Sequence, residues 1–456
     1  MIIDYDLKPA DLKEQVDTLW DLSGSKIRLI EQEYDQSQGS PVFTIRGKYS
    51  TRGWTEWTQG FEYGSKILQF DATGDESFLE NGRRDTVERM CVHVTHFGVH
   101  DHGFNNVSTY GNLLRLMNEG RIEEREWERN FYEFALKCSG AVQARRWTAL
   151  NDKEGYIYSF NGPHSLFADT IRSCRALAVS HRLGHVFMGE NDVRESLLGR
   201  LVKHAAATAK YNVYYAEGRD DYDLRGRVVH ESIFNLNDGA YRCPSTQQGY
   251  SPFSTWTRGL AWIMCGFAEE LEFVASLDDS DLAVCGGRAE VEAMMLKAAM
   301  ASCDFYIDNS ASDGIPYWDT GAPGLQSMGD YLQKPADPFN DHEPVDSSAA
   351  AIGAQGLLRL GDYLLSTGRN EEGGKYWQAG LTVLRSLCAE PYLAVDSSHQ
   401  GLILHSVYHR PNGWDFVPDS RKVPCGEASM WGDYHAREAA LYVKRKIEGK
   451  ETLKFF

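Results

Sequence analysis

A unit of apolar helix, tight glycine turn and charged helix recurs along this 456-residue chain and limits its fold more than any other feature. Gly-containing breaks at Thr73-Gly-Asp75, Leu183-Gly-His185, Leu360-Gly-Asp362 and Thr367-Gly-Arg369 each follow an apolar helical stretch and precede a return segment. The spacing predicts helical hairpins over residues 55–97, 108–145, 168–210, 255–305, 347–389 and 425–447. An amphipathic helix over 9–35, with Leu12, Val16, Leu19, Trp20, Ile27 and Ile30 on one stripe, closes the set. Six such hairpins in a ring make an all-α (α/α)6 barrel, with apolar inner and polar outer helices. The unit is too degenerate for a solenoid of the familiar periods. Strand candidates are few: the alternation Phe43, Ile45, Tyr49, and short segments at Tyr156–Phe160 and Leu402–Tyr408. No linker or low-complexity tract divides the chain, so residues 1–456 read as one domain. In such a ring the loops preceding the inner helices gather at one end, and their Gly, Trp, His and Asp residues share a pocket.

Charge narrows the partners. With 47 Lys and Arg against 65 Asp and Glu, the formal net charge of −18 argues against nucleic acid and anionic membrane surfaces. An acidic ligand must then be small and held by a few local cations. The nine Cys lack CxxC spacing and are odd in number, which suits reduced thiols and a cytoplasmic setting. The first residues form no basic-then-apolar leader, and no apolar run is long enough to span a bilayer.

The most informative stretch is Ser245–Phe267. A polar loop broken by Gly249 and Pro252 leads to Ser254 or Thr255, either able to cap a helix that starts near Trp256 and carries Arg258 and Trp262. A guanidinium takes a carboxylate bidentately and indoles stack on sugar C–H faces, so this helix mouth suits a small anionic sugar. An amphipathic core helix with a surface Arg is the plainer reading of the same residues.

His93, His96 and His100 share a face if the segment is helical, but no HExxH pattern or paired Cys accompanies them, and neither metal nor cofactor is expected. Asp101, between His100 and His102 and before Gly103, reads as a turn residue or as a carboxylate aimed into a cleft. Asp169 opens an otherwise apolar inner helix, as a first-turn acid or as half of a carboxylate pair with separated pKa values. His230, Gln248 and Asp346 are each explicable by packing or turn chemistry. Tyr434 either reaches the pocket or plugs the ring.

Taken together, these motifs resemble the unsaturated glucuronyl hydrolases of glycoside hydrolase family 88. The residues that carry the resemblance are Gln247-Gln248-Gly249-Tyr250 followed by Ser254-Thr-Trp256-Thr-Arg258-Gly-Leu260-Ala-Trp262, then Trp57-Thr-Gln-Gly-Phe61 and His100-Asp101-His-Gly103-Phe104. Pro316-Tyr-Trp-Asp319, Asp346-Ser-Ser-Ala-Ala350 and Trp431-Gly-Asp-Tyr434 complete the set. The resemblance implies an (α/α)6 barrel that removes a terminal C4=C5 unsaturated uronic acid from lyase-generated oligosaccharides, with a small acidic oligosaccharide as its partner. It implies Asp169 as general acid/base in hydration of the enol ether and Asp101 as the second carboxylate. Trp57, His100, Phe160, His230, Gln248, Trp256, Arg258, Trp262 and Tyr434 are then expected around the substrate. Pro252-Phe253, Leu260 and Phe160 stand where the family pattern has Asp-Asp, Gln and, in some relatives, Trp. These departures suggest a shifted substrate, such as a saturated β-glucuronide. An unsaturated rhamnogalacturonyl hydrolase and a non-catalytic sugar-binding toroid are the alternatives.

Overall fold

The computed structural model of the chain describes residues 1–52 and 56–456; residue 55, where the first hairpin is expected to begin, lies outside them. Six inner helical segments form a ring: Gln59–Thr73, Gly103–Gly111 continuing into Asn112–Asn118, Thr170–Ser173 continuing into Arg175–Arg182, Thr257–Ala275, Ser347–Ser366 and Met430–Ile447. Each packs on the next, and the last packs on the first. Each also packs on an outer helix: Glu76–Arg89, Glu126–Arg145, Leu197–Tyr211, Arg288–Asn309, Asn370–Leu387 and, for the last inner helix, the N-terminal Lys13–Glu33. The (α/α)6 barrel expected from the repeat is the fold observed. Burial follows the sequence pattern. Every residue from Thr257 to Val274 is buried, whereas Lys13–Glu33 buries one stripe that includes Val16, Leu19, Trp20, Ile27 and Ile30.

Three local expectations are corrected. The break at Leu360-Gly-Asp362 lies inside an inner helix that runs to Ser366 and turns at Gly368. A Cβ on Gly361 would sit 2.5 Å from the backbone nitrogen of Trp377, so this glycine serves close helix packing rather than a turn. The N-terminal helix is shorter than 9–35, because residues Pro9–Leu12 form a 3₁₀ turn before Lys13. Leu402–Tyr408 is no strand but two isolated bridges, Leu393 to Ile403 and Leu404 to Ala428. Of the other two candidates, Phe43–Ile45 pairs with Lys48–Ser50, whereas Tyr156–Phe160 is strand only as far as Ile157, where Gly155–Ile157 pairs with Trp147–Ala149.

The ring interior is charged at its centre. Arg172 bonds Glu438 at 2.9 Å and also Glu269, while Arg359 bonds Glu272 at 2.5 Å, all of them buried. Burial would raise the Glu438 pKa, but Arg172 and Arg175 outweigh it and hold that carboxyl well below its usual range. These pairs tie four inner helices together beneath the open end of the barrel. That end collects the long segments 90–102, 146–169, 212–256, 310–346 and 388–429, whereas short turns such as 74–75 and 367–369 close the other. Among the described residues no helix is long and apolar enough to cross a membrane.

Candidate active site

At the open end lies a cavity of roughly 280 Å³, near the low end of the ~300–1,000 Å³ usual for small-ligand sites and suited to a terminal sugar rather than a chain. Trp57, His100, Asp101, Phe160, Asp169, Gln248, Trp256, Arg258 and Trp262, nine of the expected site residues, line it. They come from five separate stretches of sequence, so the ring itself assembles the site.

A small sheet sets Asp169. Strand Ser165–Phe167 pairs antiparallel with Glu231–Phe234, and Ala168 N–H donates to the carbonyl of His230 at 2.8 Å. Asp169 then precedes the helical turn Thr170–Ser173 without capping it, which leaves its carboxylate for the cavity. On the neighbouring element, Ser173 Oγ and Gln143 Nε2 both donate to the carbonyl of His100, at 2.6 and 3.0 Å. The Asp101 carbonyl accepts the N–H groups of Phe104 and Asn105 as the next inner segment begins.

The two carboxylates meet at one imidazole nitrogen. His100 Nε2 lies 3.3 Å from Asp169 Oδ1 and 3.8 Å from Asp101 Oδ1. Burial raises the pKa of Asp101 to about 6, with the Asp169 charge adding and His100 opposing. Burial would raise Asp169 too, but the charge and hydrogen bond of His100, then His230, outweigh it and the net shift is downward. His100 itself is raised, because the two carboxylates overcome its burial. The two carboxylates are thus shifted in opposite directions, Asp101 upward and Asp169 downward.

Indoles wall the cavity. Trp57 stacks on Trp431 with centroids 5.0 Å apart, and Trp262 lies 4.8 Å from Phe104 and edge-on to His435. The helix carrying Trp262 begins at Thr257 with Trp256 in the cap position, and neither Ser254 nor Thr255 caps it. Thr255 Oγ1 instead donates to Val228 O, and Ser254 Oγ to Ser251 O.

Arg258 lines the cavity and is also held by the protein. Nη1 donates to Asp346 Oδ2 at 3.3 Å and to Val407 O, and Nη2 donates to Gln248 Oε1 at 3.0 Å and Tyr408 O at 2.8 Å. The four terminal N–H groups of the fork are thus engaged inside the protein.

Two expected residues do not line the cavity. His230 lies behind it, 2% exposed, with its ring 4.8 Å from Trp256 and 4.4 Å from Phe167. Its Nδ1 accepts from Gln247 N–H at 3.1 Å, and its Nε2 is buried without a partner. Tyr434 plugs the ring: its hydroxyl donates to Glu438 at 2.8 Å and accepts from Asn112 at 3.2 Å.

The histidines of 93–102 share no helical face, because that helix ends at Val94. His93 turns to Gln59, His102 to Ser139 and His100 to Asp169. Among the described residues no three His, Cys, Asp or Glu side chains form a metal-sized cluster.

Of the three departures from the family pattern, only Phe160 lines the cavity, stacked on His100 at 6.1 Å. Leu260 is buried in the core, and Phe253 stacks on Tyr222 at 4.5 Å. Sequence reasoning passed over Tyr408, His409 and Trp414, which form another wall. Asp415 folds their loop by accepting Tyr408 and His409 N–H groups at 2.5 and 3.0 Å. The run Tyr408-His-Arg-Pro-Asn-Gly-Trp-Asp415, a loop rich in Trp, His, Gly and Asp before the last inner helix, was the signal available.

An (α/α)6 barrel with two unequal carboxylates in an indole-walled cavity at its open end has the layout of an enzyme that acts on sugars. Comparison with known proteins narrows the class. No protein-family profile matches the chain. The unsaturated glucuronyl hydrolase of Bacillus sp. (strain GL1) is 25% identical over 411 residues, 88% of this chain and 90% of that protein. The unsaturated chondroitin disaccharide hydrolase of Streptococcus pyogenes serotype M1 is 24% identical over 449 residues, 94% of this chain and 91% of its own length. The crystal structure of the Bacillus enzyme superposes with a TM-score of 0.69 at 22% identity, covering 95% of this chain and 97% of that one. A further structure, of an unsaturated glucuronyl hydrolase specific for heparin, gives a TM-score of 0.70 at 20% identity, over 97% of this chain and 99% of that one. The relatives of this chain are thus unsaturated glucuronyl hydrolases, which are glycoside hydrolases, and the resemblance read from its motifs extends over nearly its whole length.

Proposed function

We propose that the protein removes a terminal C4=C5 unsaturated uronic acid from lyase-generated oligosaccharides by hydrating the enol ether. The observation that carries this reading is the Asp101–His100–Asp169 cluster inside an indole-walled cavity sized for a terminal sugar. A binding toroid has no use for two buried carboxylates with pKa values pushed apart.

Burial raises the Asp101 pKa to about 6, whereas His100 and His230 lower that of Asp169, so Asp101 is the more readily protonated of the two. A uronate carboxylate entering the cavity adds like charge, which favours the protonated form of Asp169, and the proton is taken up from solvent as the substrate binds. Asp169 then donates that proton to C4. Its carboxylate takes a proton from the water that attacks C5, so it ends the step protonated again. The resulting C5 hemiketal opens to a ketone and C1 releases the neighbouring sugar, with one water consumed per bond broken. Asp101 holds ring hydroxyls and, with His100, sets the charge felt by Asp169.

Loss of ultraviolet absorbance on unsaturated disaccharides from chondroitin, hyaluronan and heparin lyase digests reads the reaction directly, because hydration destroys the chromophore. Persistent absorbance on all of them, with cleavage of a saturated chromogenic β-glucuronide, would transfer the activity to saturated substrates. Silence on both would leave a binder.

The pH profile carries a second expectation. The raised Asp101 pKa means that the pair keeps its proton below about 6 and loses it above. We expect kcat/KM to fall as pH rises through that value, and Asp101→Asn to shift or remove that limb. A profile flat from pH 5 to 8 would contradict the assignment.

A further inference from the structure

We infer that Arg146 is a positioning residue for the proposed reaction: its buried guanidinium clamps the segment carrying His100 and Asp101 to the segment carrying Phe160, and supplies a positive charge that acts on Asp101. The inference rests on the hydration reading above. Arg146 follows the outer helix Glu126–Arg145 and is 3% exposed. Its Nη1 donates to the carbonyl of Phe97, its Nη2 to that of Ser159 at 2.6 Å, and its Nε to that of Tyr158 at 3.2 Å. The guanidinium also lies 4.4 Å from the Tyr158 ring and 5.6 Å from the Phe97 ring.

Both clamped segments run directly into the cavity wall. Phe97 precedes Gly98, Val99, His100 and Asp101, and Ser159 precedes Phe160. Ser159 carries the tie further. Its N–H donates to the carbonyl of Ser165 at 3.0 Å and the two hydroxyls lie 2.7 Å apart, and Ser165 begins the strand that sets Asp169. One rigid planar fork reaches carbonyls of two segments at once, which the single ammonium of a lysine cannot do.

A neutral amide could donate to carbonyls as well, so the charge needs its own reason. Among the described residues no carboxylate forms an ion pair with Arg146; burial works against its charge, and Asp101 is the carboxylate that opposes this. The influence is mutual. The groups acting on Asp101 are Asp169, which raises its pKa together with burial, and His100, Arg146 and His96, which lower it. Removing the cation would let the Asp101 carboxyl keep its proton to higher pH.

Two variants separate the clamp from the charge. Arg146→Lys keeps the charge and loses the fork, whereas Arg146→Gln keeps a donor and loses the charge. We expect both to exchange amide hydrogens faster over 96–101 and 157–160, read by mass spectrometry, and to lose about tenfold or more in kcat/KM on an unsaturated disaccharide. The pH at which kcat/KM falls should move up in Arg146→Gln and stay near the wild-type value in Arg146→Lys. Carbon-13 NMR titration of the Asp101 carboxyl, assigned by difference from Asp101→Asn, reads the same shift without turnover. Wild-type exchange in Arg146→Lys, or an unmoved Asp101 titration in Arg146→Gln, would overturn the inference. Failure of either variant to fold would overturn it as well, by making Arg146 a determinant of the barrel rather than of the site. Absorbance loss with the wild-type protein decides the proposed reaction separately, because exchange and titration do not depend on it.

Discussion

Asp169→Asn is expected to lower turnover of unsaturated disaccharides by about 10³-fold or more, the scale of a lost general acid/base that serves both proton transfers. The change keeps the shape of the side chain and removes its ability to exchange a proton. The carboxylate lies at the cavity wall with His100 Nε2 3.3 Å away, and it caps no helix. Binding of the uronyl sugar should therefore survive. Parallel absorbance kinetics and tryptophan quenching separate the two quantities, and near-wild-type turnover in this variant would remove the mechanism. Asp101→Asn should act differently, because its effect appears in the pH limb rather than as loss of the transferred proton.

Arg172→Ala is expected to destabilise the barrel by about 3–5 kcal/mol, the usual cost of breaking a buried ion pair by removing one partner. Arg172 is fully buried between Glu269 and Glu438, on a turn that follows Asp169 directly. Its removal leaves two carboxylates in the ring interior, with Arg175 at 3.6 and 3.5 Å as their nearest remaining cation. Circular dichroism melting against the wild type measures the loss, and an unchanged melting temperature would show the cluster to be dispensable. Because the turn carrying Arg172 follows Asp169 directly, residual activity should fall further than stability alone explains at temperatures where the variant remains folded.

Much of the barrel was legible before any coordinates. Inner helices buried on every side need long apolar stretches, outer helices need one stripe, and the two kinds alternate along the chain. The site motifs were legible for a related reason. The loops preceding the inner helices meet at one end of such a ring, so Trp57, Asp101, Asp169, Gln248 and Trp256 had to come near one another.

Directions and partners were not legible in the same way. Gly361 reads as a stop because glycine favours turns, yet the close approach of Trp377 is what requires it. Arg258 reads as a ligand for an anion, and nothing local foretells that Asp346, 88 positions away, and the carbonyls of Val407 and Tyr408 also bond its fork. Pro252-Phe253 and Leu260 read as changes in the pocket, yet they lie outside its lining. The loop over 408–415 carries no helical or strand period, so only its fold around Asp415 brings Tyr408, His409 and Trp414 to the cavity.

The sequence by itself determined the periodicity of the helices, hence the ring, and which loops share its open end, because hydrophobic spacing is local and dictates which faces must be buried. Only the tertiary structure decided where each polar group points and which proton it keeps. The placement of His100 Nε2 between two buried carboxylates is a long-range contact, and the low polarity of the interior turns that contact into a difference in pKa.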